Sequence, residues 1–273
     1  MINITSDQIS KILNIAIASS KIKEIQLPHM KLRPFIHVLI WGDIGIGKSS
    51  ILYNIGEIIG KTPIRSLTPA SILGAADKNS GIATSPIIWD CRNSVVLIDE
   101  YHLDKFDRRG RDTLNDFLSV LENPKYTKKV GYRCNEINEE DGDLYLKIKD
   151  NTISCRSRFV MIMNTMMNMI DKEKMKELEA LMSRCITVYL NFSFEELDQF
   201  SDGKPFYTYK EIKIKKEIVK INKKKYAQIK QFIKEKRPRK NRYLRLIGDL
   251  CRIYAVLGKI DKEIFDLIIE LGE

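Results

Sequence analysis

The stretch WGDIGIGKSS, residues 41–50, places Gly42, Gly47, Lys48 and Ser49 at the spacing G-x-x-x-x-G-K-S, with a further glycine at position 45. Residue types in this pattern can cradle phosphate. Glycines admit positive φ and bring backbone N–H groups close to an anion, while a helix starting behind them turns its positive end to the same point. Lys48 would reach the β- and γ-phosphates of a nucleotide, and the Ser49 hydroxyl would hold Mg²⁺. Gly42, Gly45, Gly47, Lys48, Ser49 and Ser50 form the expected nucleotide-binding set. The competing reading is a strand-to-helix turn with no ligand.

A phosphate cradle binds; hydrolysis also needs a metal-organising acid and a base. VVLIDE, residues 95–100, supplies both at the end of an apolar run. Asp99 would complete the Mg²⁺ shell with Ser49, and Glu100 would orient and deprotonate the attacking water. The alternative is that the two acids only terminate a strand. Asn164 closes a second apolar run, RFVMIMN. If that strand lies between the other two, its amide is placed to bind the water or the γ-phosphate; otherwise it is a surface polar residue.

These side chains need a scaffold, and the apolar pattern predicts one. An amphipathic helix over about Asp7 to Ser20 precedes a strand at Phe35–Ile40, and a helix follows the glycine loop. Short strands are expected near Ile64–Leu67, at SVVLIDE, at RFVMIMN and at ITVYL, with helical spacing at 107–121 and in KEKMKELEALM. Buried strands alternating with helices predict a parallel sheet covered on both faces, an α/β fold. After Asn191 a strand-like YKEIKIKKEIVKI leads into helical segments at about 223–236, 241–257 and 261–271. The expected division is an α/β core over 1–191 and a basic connector with a helical lid over 192–273.

Together these motifs resemble the AAA+ ATPases. GDIGIGKSS is similar to their Walker A, VVLIDE to their Walker B, and the asparagine of FVMIMN to their sensor 1. The Ser183-Arg184-Cys185 stretch before ITVYL resembles the arginine-finger motif of clamp loaders and replicative helicases. RYLRLIGDLCRIYA resembles the sensor 2 helix of the minichromosome maintenance helicases, which would make Arg242 sensor 2. The resemblance implies a P-loop NTPase: a three-layer parallel sheet with a C-terminal helical lid, using ATP and Mg²⁺, assembled as a ring or helical homo-oligomer. Glu100, Asn164 and Arg184 are then the catalytic set, Arg184 serving a neighbouring subunit. For Arg184 the plain alternative is a helix-capping arginine; for Arg242 it is one of several adjacent arginines.

An insertion near 124–157 narrows the resemblance. Two strand-like arms flank the turn NEEDG and look like the pre-sensor 1 hairpin of helicase-type AAA+ proteins, which projects into a ring's pore and touches nucleic acid. The turn here, Asn138 to Asp143, is acidic, whereas Lys125, Lys128, Lys129, Arg133, Lys147 and Lys149 lie along the arms or base. Phosphate would be repelled by such a tip, and a protein-facing role for it stays open.

Charge adds a further constraint. Residues 204–245 carry 17 Lys and Arg against 3 Asp and Glu, a net +14, while the remainder of the chain sums to −4. Such a block attracts phosphates or is a solvated lysine face. The five cysteines are scattered without a C-x-x-C pair, so neither a zinc site nor a disulfide framework is expected. With no membrane-length apolar stretch and no signal pattern at MINITSDQIS, the reading is a cytoplasmic protein without a membrane partner. The expected function is an ATP hydrolase driving a nucleic-acid transaction: replication initiation, helicase loading or unwinding. The alternatives are a MoxR-like protein-remodelling ATPase with a protein partner and a nucleotide-gated scaffold without turnover.

Overall fold

Val38, Leu39 and Ile40 are fully buried, and the strand that carries them, His37–Gly42, runs through the middle of the molecule. A computed structural model describes residues 4–65, 74–90, 92, 94–99, 118–123, 125–165 and 179–272. In chain order its elements are α1 (Ser6–Ser19), β1 (Glu24–Gln26), β2 (Lys31–Leu32), β3 (His37–Gly42), α2 (Lys48–Ile59) and β4 (Ile64–Arg65). They continue through β5 (Ala75–Ala76), β6 (Ala83–Thr84), α3 (Ile87–Asp90), β7 (Ser94–Asp99), β8 (Lys125–Asp141), β9 (Leu144–Arg156), β10 (Phe159–Thr165) and β11 (Cys185–Leu190). The last are α4 (Phe194–Ser201), β12 (Ile218–Lys220), α5 (Lys223–Lys236), α6 (Tyr243–Leu257) and α7 (Lys262–Gly272).

The fold is mixed α/β, built on a five-stranded sheet of order β11-β3-β10-β7-β4 in which every neighbouring pair is parallel. Alternate residues of each strand enter one of two cores. Val38, Ile40, Val95, Leu97, Val160 and Ile162 pack on one face with α1, α2 and the C-terminal helices. Leu39, Val96, Ile98, Met161 and Met163 pack on the other with Trp89, Leu118, Leu121 and Leu181. This two-sided burial is why the strands read as unbroken apolar runs. At about 1.5–3 kcal/mol for each fully buried aliphatic side chain, these strands dominate the stability of the sheet.

The first core does not stop at the sheet. It continues through α1 into α5, α6 and α7. A Thr5–Gln8 capping box starts α1, and Asn222 caps α5 by accepting the Lys225 N–H. A small sheet of order β12-β1-β2 ties the two ends of the chain together, β1 pairing in parallel with β12.

Residues 209–217 differ from the strand-like expectation; only Ile218–Lys220 pairs. Their neighbours at 207–208 instead run along α1, where the Tyr207 hydroxyl donates to Asn14 Oδ1 at 2.6 Å and the Thr208 N–H to Ser10 Oγ at 3.0 Å. Ile212 and Ile214 are half-buried against the same core. Alternation therefore reports one-sided burial here, with no strand alongside among the described residues.

β8 and β9 form one long antiparallel ribbon with register shifts around Cys134 and a left-handed Asp150 (φ 53°). It doubles back on itself instead of projecting. Asp143, at the tip, meets Arg158, just beyond the base, at 2.9 Å. Glu139 accepts the Trp89 indole N–H at 2.8 Å, and Asp141 pairs with Arg92 at 3.4 Å. Leu144, Leu146, Ile148, Ile153 and Cys155 line the buried side of the ribbon.

Cys134, Cys155, Cys185 and Cys251 are free and buried, and burial pushes the thiols of Cys155, Cys185 and Cys251 up to about 12. They stay protonated and packed. Cys91 lies outside the described residues. Among the described residues, no helix is long and apolar enough to cross a membrane.

Candidate functional site

The C-terminal end of β3 runs directly into the glycine loop. Gly42 has φ 152°, and a Cβ there would lie 2.7 Å from the Leu190 carbonyl oxygen of the neighbouring β11. Gly47, the N-cap residue of α2, has φ 90°, and a Cβ there would enter the Phe206 ring. Both positions therefore require glycine. No side chain caps α2. The loop N–H groups of residues 44–47 have no acceptor among the described residues. Donors without an acceptor among the described residues, beside an uncapped helix end, are what an anion needs.

Lys48 is buried beneath the loop. Its Nζ donates to the Gly42 carbonyl at 2.8 Å and to the Asp43 carbonyl. Burial lowers its pKa, and the nearby charges of Asp43 and Asp99 oppose that shift. Folded back on neutral carbonyls, the ammonium has no full counter-charge in contact among the described residues, and an anion above the loop would draw it out.

Next to it lies a three-residue polar cluster. The Ser49 hydroxyl donates to Asp99 Oδ1 at 2.8 Å, and the Asn164 amide donates to the same oxygen at 2.6 Å. Asn164 Nδ2 is also 3.5 Å from Ser49 Oγ. The sheet order creates this meeting: β10, which carries Asn164, lies between β3 and β7, so its end abuts both the loop and Asp99. Asp99 and Asn164 are 1% and 2% exposed, so their geometry is set by packing. Ser50 is exposed in the first turn of α2. Glu100 lies outside the described residues. No group of three or more His, Cys, Asp or Glu side chains able to hold a metal occurs among the described residues.

No protein-family model matches the chain. Nor does any curated protein match it significantly.

One of the sequence-derived residues stands elsewhere. Arg184 precedes β11, whose first residue pairs with His37 and whose last pairs with Gly42. It is thus about 20 Å from the glycine loop, six residue steps at ~3.3 Å. Its guanidinium pairs with Glu122 at 2.9 Å and donates to the Ala180 carbonyl at 2.7 Å, while Nε is buried with no partner among the described residues. Arg242 is the half-buried N-cap residue of α6 and makes no side-chain capping bond. One turn later, Arg245 donates to the Cys185 carbonyl. Among the described residues, no hydrogen bond or ion pair joins Arg242 to residues 42–50. Arg245 and Arg184 thus share one side of the sheet.

That side holds features not predicted from the sequence. Arg33, Arg184, Arg245 and Arg252 surround a cleft of about 220 Å³ together with Glu122 and Asp249. His37 is buried at its floor, with Nδ1 accepting the Met161 N–H at 3.0 Å and Nε2 facing the Leu121 carbonyl at 3.2 Å. Those partners fix the tautomer with the proton on Nε2. Burial lowers the His37 pKa to about 3, and the Arg252 and Arg33 charges push the same way. Near the loop, Phe206 is the other unpredicted neighbour. It stacks on Phe200 with ring centroids 4.2 Å apart, and the aromatic spacing Phe192, Phe200, Phe206 is its only sequence signal.

Proposed function

We propose that the chain is a Mg²⁺-dependent ATP hydrolase of the AAA+ type that works as an oligomer in a nucleic-acid transaction. One observation carries this reading. Lys48, Ser49, Asp99 and Asn164 converge at the C-terminal edge of a parallel sheet, with the Asn164 strand between the loop strand and the Asp99 strand. Ligands of open α/β sheets bind at that edge.

The donor set suits a nucleotide. The N–H groups of residues 44–47 would hold phosphate oxygens, and Lys48 would exchange its carbonyl contacts for the β- and γ-phosphates. Ser49 Oγ and Asp99 Oδ1, 2.8 Å apart, offer a hydroxyl and a carboxylate that would hold Mg²⁺, directly or through water. Bound Mg²⁺ supplies charge neutralisation for the developing phosphate anion. Asn164 would position the attacking water and Glu100 would take its proton. Arg184, a strand's length from its own loop, suits a role at a neighbouring subunit's nucleotide, which would make hydrolysis depend on assembly.

The test is ATP turnover with and without single-stranded and duplex DNA, alongside mass measurement with a slowly hydrolysed ATP analogue. DNA-stimulated turnover by an oligomer is expected. Turnover insensitive to nucleic acid would favour a protein-remodelling ATPase, and tight ATP binding without turnover would make the chain a nucleotide-gated scaffold.

A further inference from the structure

The lysines of the basic segment are not equivalent in the fold. Lys236 pairs with Asp266 at 2.7 Å, and Lys204 donates to Gln199 at 2.8 Å. Lys223, Lys230 and Lys234 differ: none has a carboxylate partner among the described residues. They lie at i, i+7 and i+11 of α5, on one stripe of that helix, which spans about 16 Å at ~1.5 Å per residue.

This stripe forms one wall of an open groove of about 520 Å³, with Pro28 and His29 of the β1–β2 turn opposite. Ala227, midway along the stripe, gives the wall a low point where a chain can lie close to the helix. Tyr226 adds a ring, and Lys230 Nζ lies 5.6 Å from its centroid. The one acid of α5, Glu235, accepts from Gln231 at 3.0 Å. The helix also opens with Lys223, Lys224 and Lys225, cations set against the positive end of its own dipole. An anionic partner would relieve that repulsion.

We propose that this groove binds single-stranded nucleic acid, the lysine stripe following the phosphates while Tyr226 and His29 offer ring faces to the bases. Charge complementarity selects the ligand: a row of cations interleaved with rings is the surface that tracks a single strand without reading its sequence. An acidic protein fits less well, because the groove lacks the large apolar pocket that anchors a protein partner. The inference rests on the nucleic-acid part of the proposed function and not on hydrolysis. Among the described residues, no hydrogen bond or ion pair links the groove lysines to Lys48 or Ser49.

The experiment is fluorescence anisotropy of the full chain with a labelled 20-nucleotide single strand and the matching duplex, across a salt series and without ATP. The single strand should bind more tightly than the duplex. The triple variant K223Q/K230Q/K234Q should weaken single-strand binding at least ~10-fold and lower the log–log salt slope by about 2, at ~0.7 for each lost phosphate contact. The control K210Q/K215Q/K216Q removes equal charge from exposed sites and should shift affinity less than ~3-fold. Its melting temperature and that of the groove variant should match the wild type, and basal ATPase should be unchanged in both. Equal losses in the two triples would mean diffuse attraction and overturn the site, as would unaltered binding, a preference for duplex, or capture of polyglutamate in place of the oligonucleotide. Loss of ATPase with intact DNA binding in Lys48→Ala would leave the groove standing, so failure of either reading is told apart from failure of the other.

Discussion

The side-chain amide of Asn164 lies 2.6 Å from Asp99 Oδ1, the carboxylate oxygen that also accepts the Ser49 hydroxyl. Asn164→Ala removes a donor from a buried carboxylate and, in the proposed mechanism, the group that positions water. Turnover should fall about 10²–10³-fold, with ATP affinity by calorimetry within ~3-fold of wild type. Stability should fall by about 1–3 kcal/mol, read from urea unfolding. Near-normal turnover would detach Asn164 from the chemistry.

Lys48→Ala and Glu100→Gln should fail in opposite ways. Without Lys48 no other described cation contacts the loop, so ATP binding should be lost in titration calorimetry. Glu100→Gln keeps the shape and loses the base, so ATP should be retained while hydrolysis stops. Unchanged ATP affinity in Lys48→Ala would rule out the phosphate-cradle reading.

Arg184→Ala should leave ATP binding intact and reduce turnover about 10³-fold or more, because its guanidinium stands at the far end of β11 from its own loop. Mixing these subunits with Glu100→Gln subunits provides the sharper measurement. Interfaces of one orientation combine an intact base with an intact arginine, so part of the activity should return. Absence of recovery in oligomers proven to be mixed would argue against action between subunits.

His37 makes a prediction about pH. Its folded pKa of about 3 lies below the unfolded value of 6.5. Above pH 6.5 both states are neutral and stability is unaffected. As pH falls from 6.5 towards 3, the unfolded chain takes up a proton that the native state refuses, and stability is progressively lost. Urea unfolding of His37→Gln between pH 7 and 4 should show a shallower decline than wild type, offset by a loss at neutral pH from the altered packing. Parallel curves would mean that the buried imidazole does not drive the acid sensitivity.

The parts of this molecule that can be read in sequence are those where burial imposes a period or a motif imposes a spacing. Helical periodicity locates α5 at 223–236 and the two following helices within two residues of their ends. Lys48, Ser49, Asp99 and Asn164 are legible for the same reason, each closing or following an apolar run. A three-residue strand carries no period, so β1 is invisible in it, and its partner β12 is legible only as the end of a longer alternating stretch. Helix α4 is missed although Ser193 and Glu196 form a capping box, because it buries only Phe200. Arg242 cannot be assigned from its neighbours, since Arg237, Arg239 and Arg245 look alike in sequence. Only the packing of Arg245 against β11 separates them.

The parallel pairing of β1 with β12, and the seating of α1 against α6, have a mechanical consequence. A pivot near residue 191 could not by itself swing α5, α6 and α7 away from the sheet, because the N-terminal segment is stitched to them. α1 also touches β3 and β10. Any opening over the glycine loop must therefore either drag the first twenty-six residues along or slide α1 across the sheet. Shortening the N-terminal segment would then alter the stiffness of the whole C-terminal half.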